Sequence, residues 1–341
     1  MKINKEELKH ALEIVKPGLA NKEIIEQSTS FAFVNGCVVT YNDEISISHP
    51  ITDLDITGAI KAEELYKFLA KIKNEEIDIT KNEKQEIVLK AGKAISGFTL
   101  IEEIKLPLDE EISVKNKWFK LPEKFIEFLK FAVMGCSSDA SDPKLICVHI
   151  NKNGFIESCD NLRIIHCKLD NELPIDTCLI PATSINTLIK ANPTKVSEGN
   201  GWVHFRTKEG TIISCRTFKE TFVDTSKYLK NIKGKKIVFP KSLNEVLDKA
   251  IIFTNKEQGI VDTIDIEISE NIITIKSKSD SSWFREKIKI HYTGEPIVFS
   301  IKASMLKDIV AYTDECILNK NILYFQTEDW TYLTTLSIKE Q

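Results

Sequence analysis

No apolar run in this 341-residue sequence approaches the roughly 18 residues that a membrane-spanning helix needs, so no such span is expected. No CxxC pair occurs among the eight cysteines, which removes the finger and redox motifs built on that spacing. The glycine pattern of a phosphate loop is missing too, because Ala91-Gly-Lys-Ala94 lacks the upstream glycine that such a loop requires. Charge of one sign is scarce: 46 Lys and Arg against 50 Asp and Glu leave a net −4 at pH 7. That excludes non-specific wrapping of a polyanion by the whole surface, but not by one basic face. Met1-Lys-Ile-Asn-Lys-Glu6 leads directly into a helical pattern, so a signal peptide is not expected. Cysteines scattered through strand-like stretches read as reduced thiols of a cytoplasmic protein.

What is present is a repeat. An apolar residue, two variable positions and two further apolar residues recur six times, in two interleaved series. One series reads Leu8–Ala11–Leu12, Phe125–Phe128–Leu129 and Leu243–Val246–Leu247, with starts 117 and 118 residues apart. The other reads Leu65–Phe68–Leu69, Ile185–Leu188–Ile189 and Leu306–Ile309–Val310, with starts 120 and 121 apart. Positions i, i+3 and i+4 lie on one side of a helix, so each segment buries a single stripe. Two series sharing one period imply a two-helix segment used three times.

Between the helices the period changes to two. Ser30–Val34, Cys37–Tyr41 and Ile45–Ser48 are separated by Asn35-Gly36 and Asn42-Asp43. Leu145–Ile150 is followed by the turn Asn151–Gly154 and by Arg163–Cys167, and Thr263–Ile268 by Ser269–Asn271 and Ile272–Ile275. β-Branched alternation broken by Asn, Gly and Asp predicts antiparallel hairpins. Further strands are expected after each second helix, for example Trp202–Phe205 and Ile322–Phe325. Helix starts are expected at Pro122 and at Ser242, which with Glu245 has the spacing of a capping box. The expected class is α+β: three repeated domains, each two helices packed on antiparallel sheet, spanning 1–117, 118–235 and 236–341. The boundaries fall in the polar stretches Leu106–Ser113 and Asn231–Lys236.

The six helical segments carry formal charges of +1, +2, 0, +2, +1 and −1, a net +5, which leaves −9 on the rest of the chain. That division fits a positive helical face that attracts a polyanion, with strands and loops that repel it.

The residues also resemble a known family, the bacterial sliding clamp or β subunit of DNA polymerase III, over the full length and in all three repeats. Phe131-Ala-Val-Met134 and Asp142-Pro-Lys-Leu-Ile-Cys-Val148 resemble its second-domain helix and following strand. Cys159-Asp-Asn-Leu-Arg-Ile164 occupies the place of its Thr-Asp-Gly/Ser-His-Arg-Leu stretch. Leu179-Ile-Pro-Ala182 resembles the start of its second helix, and Ala250-Ile-Ile-Phe-Thr-Asn255 the end of its domain-three helix. The most specific match is Ser214-Cys-Arg-Thr-Phe-Lys-Glu-Thr-Phe-Val-Asp-Thr-Ser-Lys-Tyr-Leu229, against a segment ending Phe/Tyr-Pro-Asp-Thr-Ser-Arg-Leu.

The resemblance implies repeated DNA-clamp domains that form a six-domain ring as a homodimer, with helices inside. Helices about 9.5 Å apart put twelve on a circle roughly 36 Å across. Removing about 10 Å for helix bodies leaves a hole near 26 Å, enough for a duplex with a layer of water. It also implies a non-catalytic processivity subunit without cofactor or metal, which binds double-stranded DNA without regard to sequence. DNA-facing lysines would be Lys9, Lys16, Lys22, Lys67, Lys71, Lys130, Lys144, Lys190, Lys195, Lys249 and Lys307. DNA polymerase and clamp-loader subunits would insert a peptide into a cleft between domains two and three. Carried over by position, the cleft comprises Leu145, Cys159, Asn161, Leu162, Arg163, Ile164, Val223, Tyr228, Leu333 and Thr335. The sequence departs from the family at Asn161-Leu162 for Gly/Ser-His, at Val223 for Pro, and at Thr335-Leu336 for Met-Pro. An altered cleft shape follows, as in a divergent member.

Rival readings are weaker. Cys147 with His149 and His166-Cys167 lack the spacing of zinc ligands, and cysteines in strands pack as small core residues. Asp109-Glu-Glu111 reads as an acidic linker, and Asp160 with Arg163 as a buried pair shaping the cleft. A clamp-fold module that binds clamp partners without encircling DNA is the alternative, kept open by the acidic sixth helix (Lys302 and Lys307 against Asp308, Asp314 and Glu315).

Overall fold

The computed structural model describes residues 1–52, 54–108, 114, 117–230, 232–254 and 263–338. The acidic stretch at 109–111, the boundary at 231 and the position of Asn255 lie outside the described residues.

Among the described residues, six α-helices occupy the six repeated positions: α1 Lys5–Val15, α2 Ala62–Lys71, α3 Phe125–Val133, α4 Ala182–Ala191, α5 Leu243–Ile251 and α6 Ala303–Val310. All nine residues of the first series are at most 3% exposed. In the second series Leu65, Leu69, Ile185, Leu188, Leu306 and Ile309 are buried, while Phe68, Ile189 and Val310 are half-buried at the stripe's margin. Burying such a side chain stabilises by about 1.5–3 kcal/mol, so the stripes outweigh local propensity in placing the helices.

Helix ends differ from expectation in two places. Asn4 caps α1, its side-chain oxygen accepting from the amides of Glu6 and Glu7 at 2.8 and 3.3 Å. Ser242 forms no such cap: its backbone is already helical, at φ −69° and ψ −10°, and its side chain makes no cap hydrogen bond. The capping-box spacing therefore has no structural counterpart there, because a cap residue needs extended backbone to turn its oxygen back on the first amides. Pro122 does open a turn, its carbonyl accepting from Phe125 at 3.2 Å. Leu179-Ile-Pro181 belongs to the strand Cys178–Pro181 rather than to the helix, which begins at Ala182.

The chain divides into two compact units. One comprises residues 1–130, 148–154 and 170–220, the other 131–147, 155–169 and 221–341. The first unit holds a four-stranded antiparallel sheet in the order Lys2–Asn4, Glu76–Lys81, Glu86–Ala91, Ala94–Thr99. Its eight-stranded sheet runs Gly58–Lys61, Ser30–Val34, Cys37–Tyr41, Ile45–Pro50, Ile212–Arg216, Trp202–Arg206, Lys195–Glu198, Phe119–Lys120.

In the second unit one run of strands reads Phe155–Cys159, Arg163–Lys168, Trp330–Thr335, Ile322–Gln326, Glu315–Asn319, Lys235–Val238. A five-stranded sheet reads Trp283–Lys289, Ile272–Lys278, Thr263–Ser269, Ile297–Lys302, Ser337–Ile338. The long-range pairing of Ile45–Pro50 with Ile212–Arg216 recurs as Arg163–Lys168 with Trp330–Thr335. Both members start 118 residues later (45 to 163, 212 to 330), so the period read from the helices also governs strand pairing.

Two substitutions separate the real cap from the apparent one. Asn4→Ala should cost about 1 kcal/mol of unfolding free energy by chemical denaturation, and Ser242→Ala should stay within about 0.5 kcal/mol of the parent. Leu247→Ala, in the fully buried stripe of α5, should cost about 2–5 kcal/mol.

Candidate functional site

The second unit's strands bring three distant segments into one row. Cys159 lies opposite Ile164, Ile164 opposite Leu333, and Leu333 opposite Tyr324. Directly paired residues share a face, so these four side chains stand together on one side of the sheet. The adjacent row, Ser158, Ile165, Tyr332 and Phe325, occupies the other side, and each of its members is essentially inaccessible. That side carries the helices: the Tyr332 hydroxyl donates to the Met305 carbonyl of α6 at 3.2 Å, and Phe131 of α3 packs 4.6 Å from Trp330.

The face bearing Cys159, Ile164 and Leu333 is therefore the one turned away from the helices, and Thr335, two residues beyond Leu333, shares it.

A connecting segment crosses this face at a point fixed by a polar contact. Glu157 and His166 are cross-strand partners on the same face, with His166 Nδ1 2.9 Å from Glu157 Oε1. Thr225 donates from its hydroxyl to the same carboxylate oxygen at 2.6 Å, in a buried contact. A buried acid needs such partners, since desolvation without them costs several kcal/mol. Asp224 shapes the segment locally by accepting from the Ser226 amide and hydroxyl at 3.1 and 2.7 Å, which starts the short 3₁₀ turn Ser226–Tyr228. Those bonds hold the Asp224 carboxyl below its usual range. Val223 and Tyr228 flank the anchored Thr225; Val223 is half-buried and Tyr228 is 51% exposed.

The turn Asp160–Leu162 closes one end of the row. Asp160 accepts from the amides of Leu162 and Arg163, both at 2.8 Å, and the Leu162 carbonyl accepts from the Thr335 amide at 2.8 Å. Asn161 and Leu162 are exposed at its tip. Arg163 does not join the row. It alternates with Ile164 and points to the helix side, where its guanidinium reaches Asp160 at 3.1 Å and Asp308 of α6 at 3.3 Å. Burial raises the Asp308 carboxyl above its ordinary value, and Arg163 opposes that shift. Leu145 is buried in the loop that leads into Cys147–Asn151, its carbonyl accepting from Ser137 at 2.8 Å.

The structure thus unites Cys159, Ile164, Leu333 and Thr335 on one face, and sets Val223 and Tyr228 on either side of an anchor to that face. Sequence reasoning missed Glu157, His166 and Thr225. The available signal was an acid and a histidine nine residues apart, on either side of the Asp160–Leu162 turn.

Five of the eight thiols are poor nucleophiles. Burial pushes Cys159 up to about 11 and Cys178 up to about 12, and raises Cys136, Cys215 and Cys316 as well.

The lysines expected to face DNA fall into three groups. Lys9 pairs with Glu13 at 3.5 Å, Lys144 with Asp142 at 3.3 Å, Lys249 with Glu286 at 2.5 Å, Lys67 with Glu63, and Lys307 with Asp248. Lys16 lies over the Tyr66 ring, 4.1 Å from its centre. Lys22, Lys71, Lys130, Lys190 and Lys195 are exposed and have no ion-pair partner among the described residues.

The fold so built is that of DNA polymerase III β sliding clamps, over nearly the whole chain. The crystal structure of the β subunit from Streptococcus pyogenes matches with a TM-score of 0.83 and 19% identity, covering 99% of both chains. That of a Pseudomonas aeruginosa sliding clamp bound to griselimycin matches at 0.82 and 17%, covering 98% of both. The Thermotoga maritima β subunit matches at 0.77 and 16%, covering 100% of this chain and 99% of its own. No protein-family model and no curated protein sequence matches the chain.

The Thr225 anchor has a measurable consequence. A hydrogen bond to a buried carboxylate contributes about 1.5–3 kcal/mol. Thr225→Val should therefore speed hydrogen exchange of the Tyr228 amide, which donates to the Thr225 carbonyl at 3.0 Å, by about tenfold or more. Unchanged exchange would mean that the segment is held by other contacts.

Proposed function

We propose that this protein is a sliding clamp: two copies close into a ring around duplex DNA and tether a polymerase and clamp-loader subunits, with no catalysis of their own. The observation that carries the reading is the clamp fold over nearly the full chain, combined with an apolar sheet row beneath an anchored connecting segment. The three domains would span 1–117, 118–235 and 236–341, as the period suggests.

Closure has candidate edges. Ala94–Thr99 ends the four-stranded sheet of the first unit, and Trp283–Lys289 ends the five-stranded sheet of the second. Unpaired edges invite a further strand, and on the first of these edges Ile95 is 66% exposed. Ile252, just beyond α5, is 70% exposed and would be covered by the same contact.

Inside the ring, the lysines without acidic partners would meet phosphates, and those held by neighbouring acids would contribute less. Loose contact through water suits a ring that slides, because each phosphate firmly neutralised adds affinity that must be broken again. The setting would be cytoplasmic, consistent with eight cysteines outside any disulfide among the described residues.

Partners would insert a short peptide over the Cys159–Ile164–Leu333 row, between the Leu162 turn and the segment carrying Val223 and Tyr228. Cys159 and Leu333 are buried at 4% and 6% exposure and Ile164 is half-buried, so the apolar anchors open to a peptide are Leu162 and Tyr228 on either side of the row, at 36% and 51%. Leu162→Asp should weaken binding of a fluorescent peptide from the host polymerase C-terminus by about 2 kcal/mol, roughly thirtyfold. Leu333→Asp should do so at least as strongly. Solution mass should remain that of a dimer in the parent and in Leu162→Asp. A monomeric mass at micromolar concentration would overturn the ring, and equal peptide affinity in all three proteins would move the partner site elsewhere.

A further inference from the structure

The strand Trp283–Lys289 alternates sharply in character. Phe284 stacks on Phe253 at 5.6 Å, and Glu286 pairs with Lys249 of α5, so these positions face the helix side. Trp283, Arg285, Lys287 and Lys289 point the other way, and all four are exposed. The neighbouring strand sets Lys278 opposite Trp283 and Lys276 opposite Arg285. Two adjacent strands thus present five cations and an indole on one face.

The acids there are few and engaged. Glu267 pairs with Lys276, and Asp265 accepts from the Ser300 hydroxyl at 2.6 Å. Asp280 lies in the turn beyond Lys278. Lys278, Arg285, Lys287 and Lys289 have no ion-pair partner among the described residues. An open cavity of about 700 Å³ is lined by Lys276, Lys278, Trp283 and Arg285 together with Asp265 and Ser300.

Like charges directly opposite one another destabilise a sheet, so this arrangement is held in place by the rest of the fold and gains from a bound polyanion. Alternate residues of a strand are about 6.8 Å apart, so the row from Trp283 to Lys289 extends about 20 Å. That is a line of cations able to track a few successive phosphates. The indole at its end offers a flat face on which a base can stack, and stacking beside a basic groove is how single strands are bound without regard to sequence.

We propose that this face binds single-stranded nucleic acid. An acidic peptide could use the cations, but it has no need of the exposed indole, and it would add most naturally along the strand edge. The proposed ring assigns that edge to the second copy, whereas the face stays open in a monomer or a dimer. The inference goes beyond the clamp reading and does not require it.

The test is titration of the full chain with a fluorescein-labelled twelve-nucleotide oligothymidylate at about 50 mM salt. Anisotropy, tryptophan emission and solution mass are read on the same samples, so that loss of the dimer and loss of the site are seen separately. The oligonucleotide should bind and quench emission. Trp283→Ala should abolish the quenching and weaken binding at least about fivefold. Lys287→Ala with Lys289→Ala should reduce the slope of log K against log salt by about 1.4, at about 0.7 per phosphate contact on a single strand. Equal binding by the parent and both variants would overturn the proposal. So would equal quenching of the parent by polyglutamate, which would mark an acidic-peptide site, or by a twelve-base-pair duplex.

Discussion

The structure depends on strand pairing between segments about 165 residues apart. Ile45–Pro50 joins Ile212–Arg216 in the first unit, and Arg163–Lys168 joins Trp330–Thr335 in the second. Register within each pairing decides which side chains meet helices and which face away. A slip of one residue would exchange the Cys159, Ile164 and Leu333 row for the Ser158, Ile165 and Tyr332 row. It would also leave the hydroxyls of Ser158 and Tyr332 without their helix-side acceptors, Ala132 and Met305. Those buried bonds, with the aromatic cluster around Phe131, make register a property of packing rather than of the hairpin turns alone.

The same constraint explains what the sequence could reveal. Helix positions were legible because a buried stripe needs apolar residues at i, i+3 and i+4, and the stripe recurs at a fixed period. Most hairpins were legible from alternation. Short strands leading into helices were not: the resemblance puts Leu179-Ile-Pro181 in the helix, and an apolar run beside a helix start carries no period of its own to correct that. Ser242 has a capping residue's identity without a capping backbone, which identity alone cannot disclose.

The candidate site was legible in part. The resemblance singles out Arg163 and Ile164 together, yet neighbouring strand residues point to opposite faces, so both cannot line one groove in the same way. Register places Ile164 on the face turned away from the helices and gives Arg163 to Asp160 and Asp308. The Glu157, His166 and Thr225 contact was hidden for another reason. It joins residues 68 apart in sequence, and only the folded sheet places the threonine on that carboxylate. Formal charge counting was similarly incomplete. It treats Lys67, Lys249 and Lys307 as free cations, whereas Glu63, Glu286 and Asp248 hold them. The field on the helices is therefore set more by lysines such as Lys71 and Lys190, which have no ion-pair partner among the described residues.

Encirclement of DNA is the central claim, and topology tests it more directly than affinity does. Protein loaded on nicked circular DNA should be retained through gel filtration and released when the circle is cut by a restriction enzyme, because a closed ring can leave only at an end. Salt that abolishes binding to short linear duplex should leave much of the circular complex intact, since phosphate contacts weaken steeply with salt while linkage does not. Equal retention on circular and cut DNA would contradict the account and show that the protein binds DNA by surface contact alone.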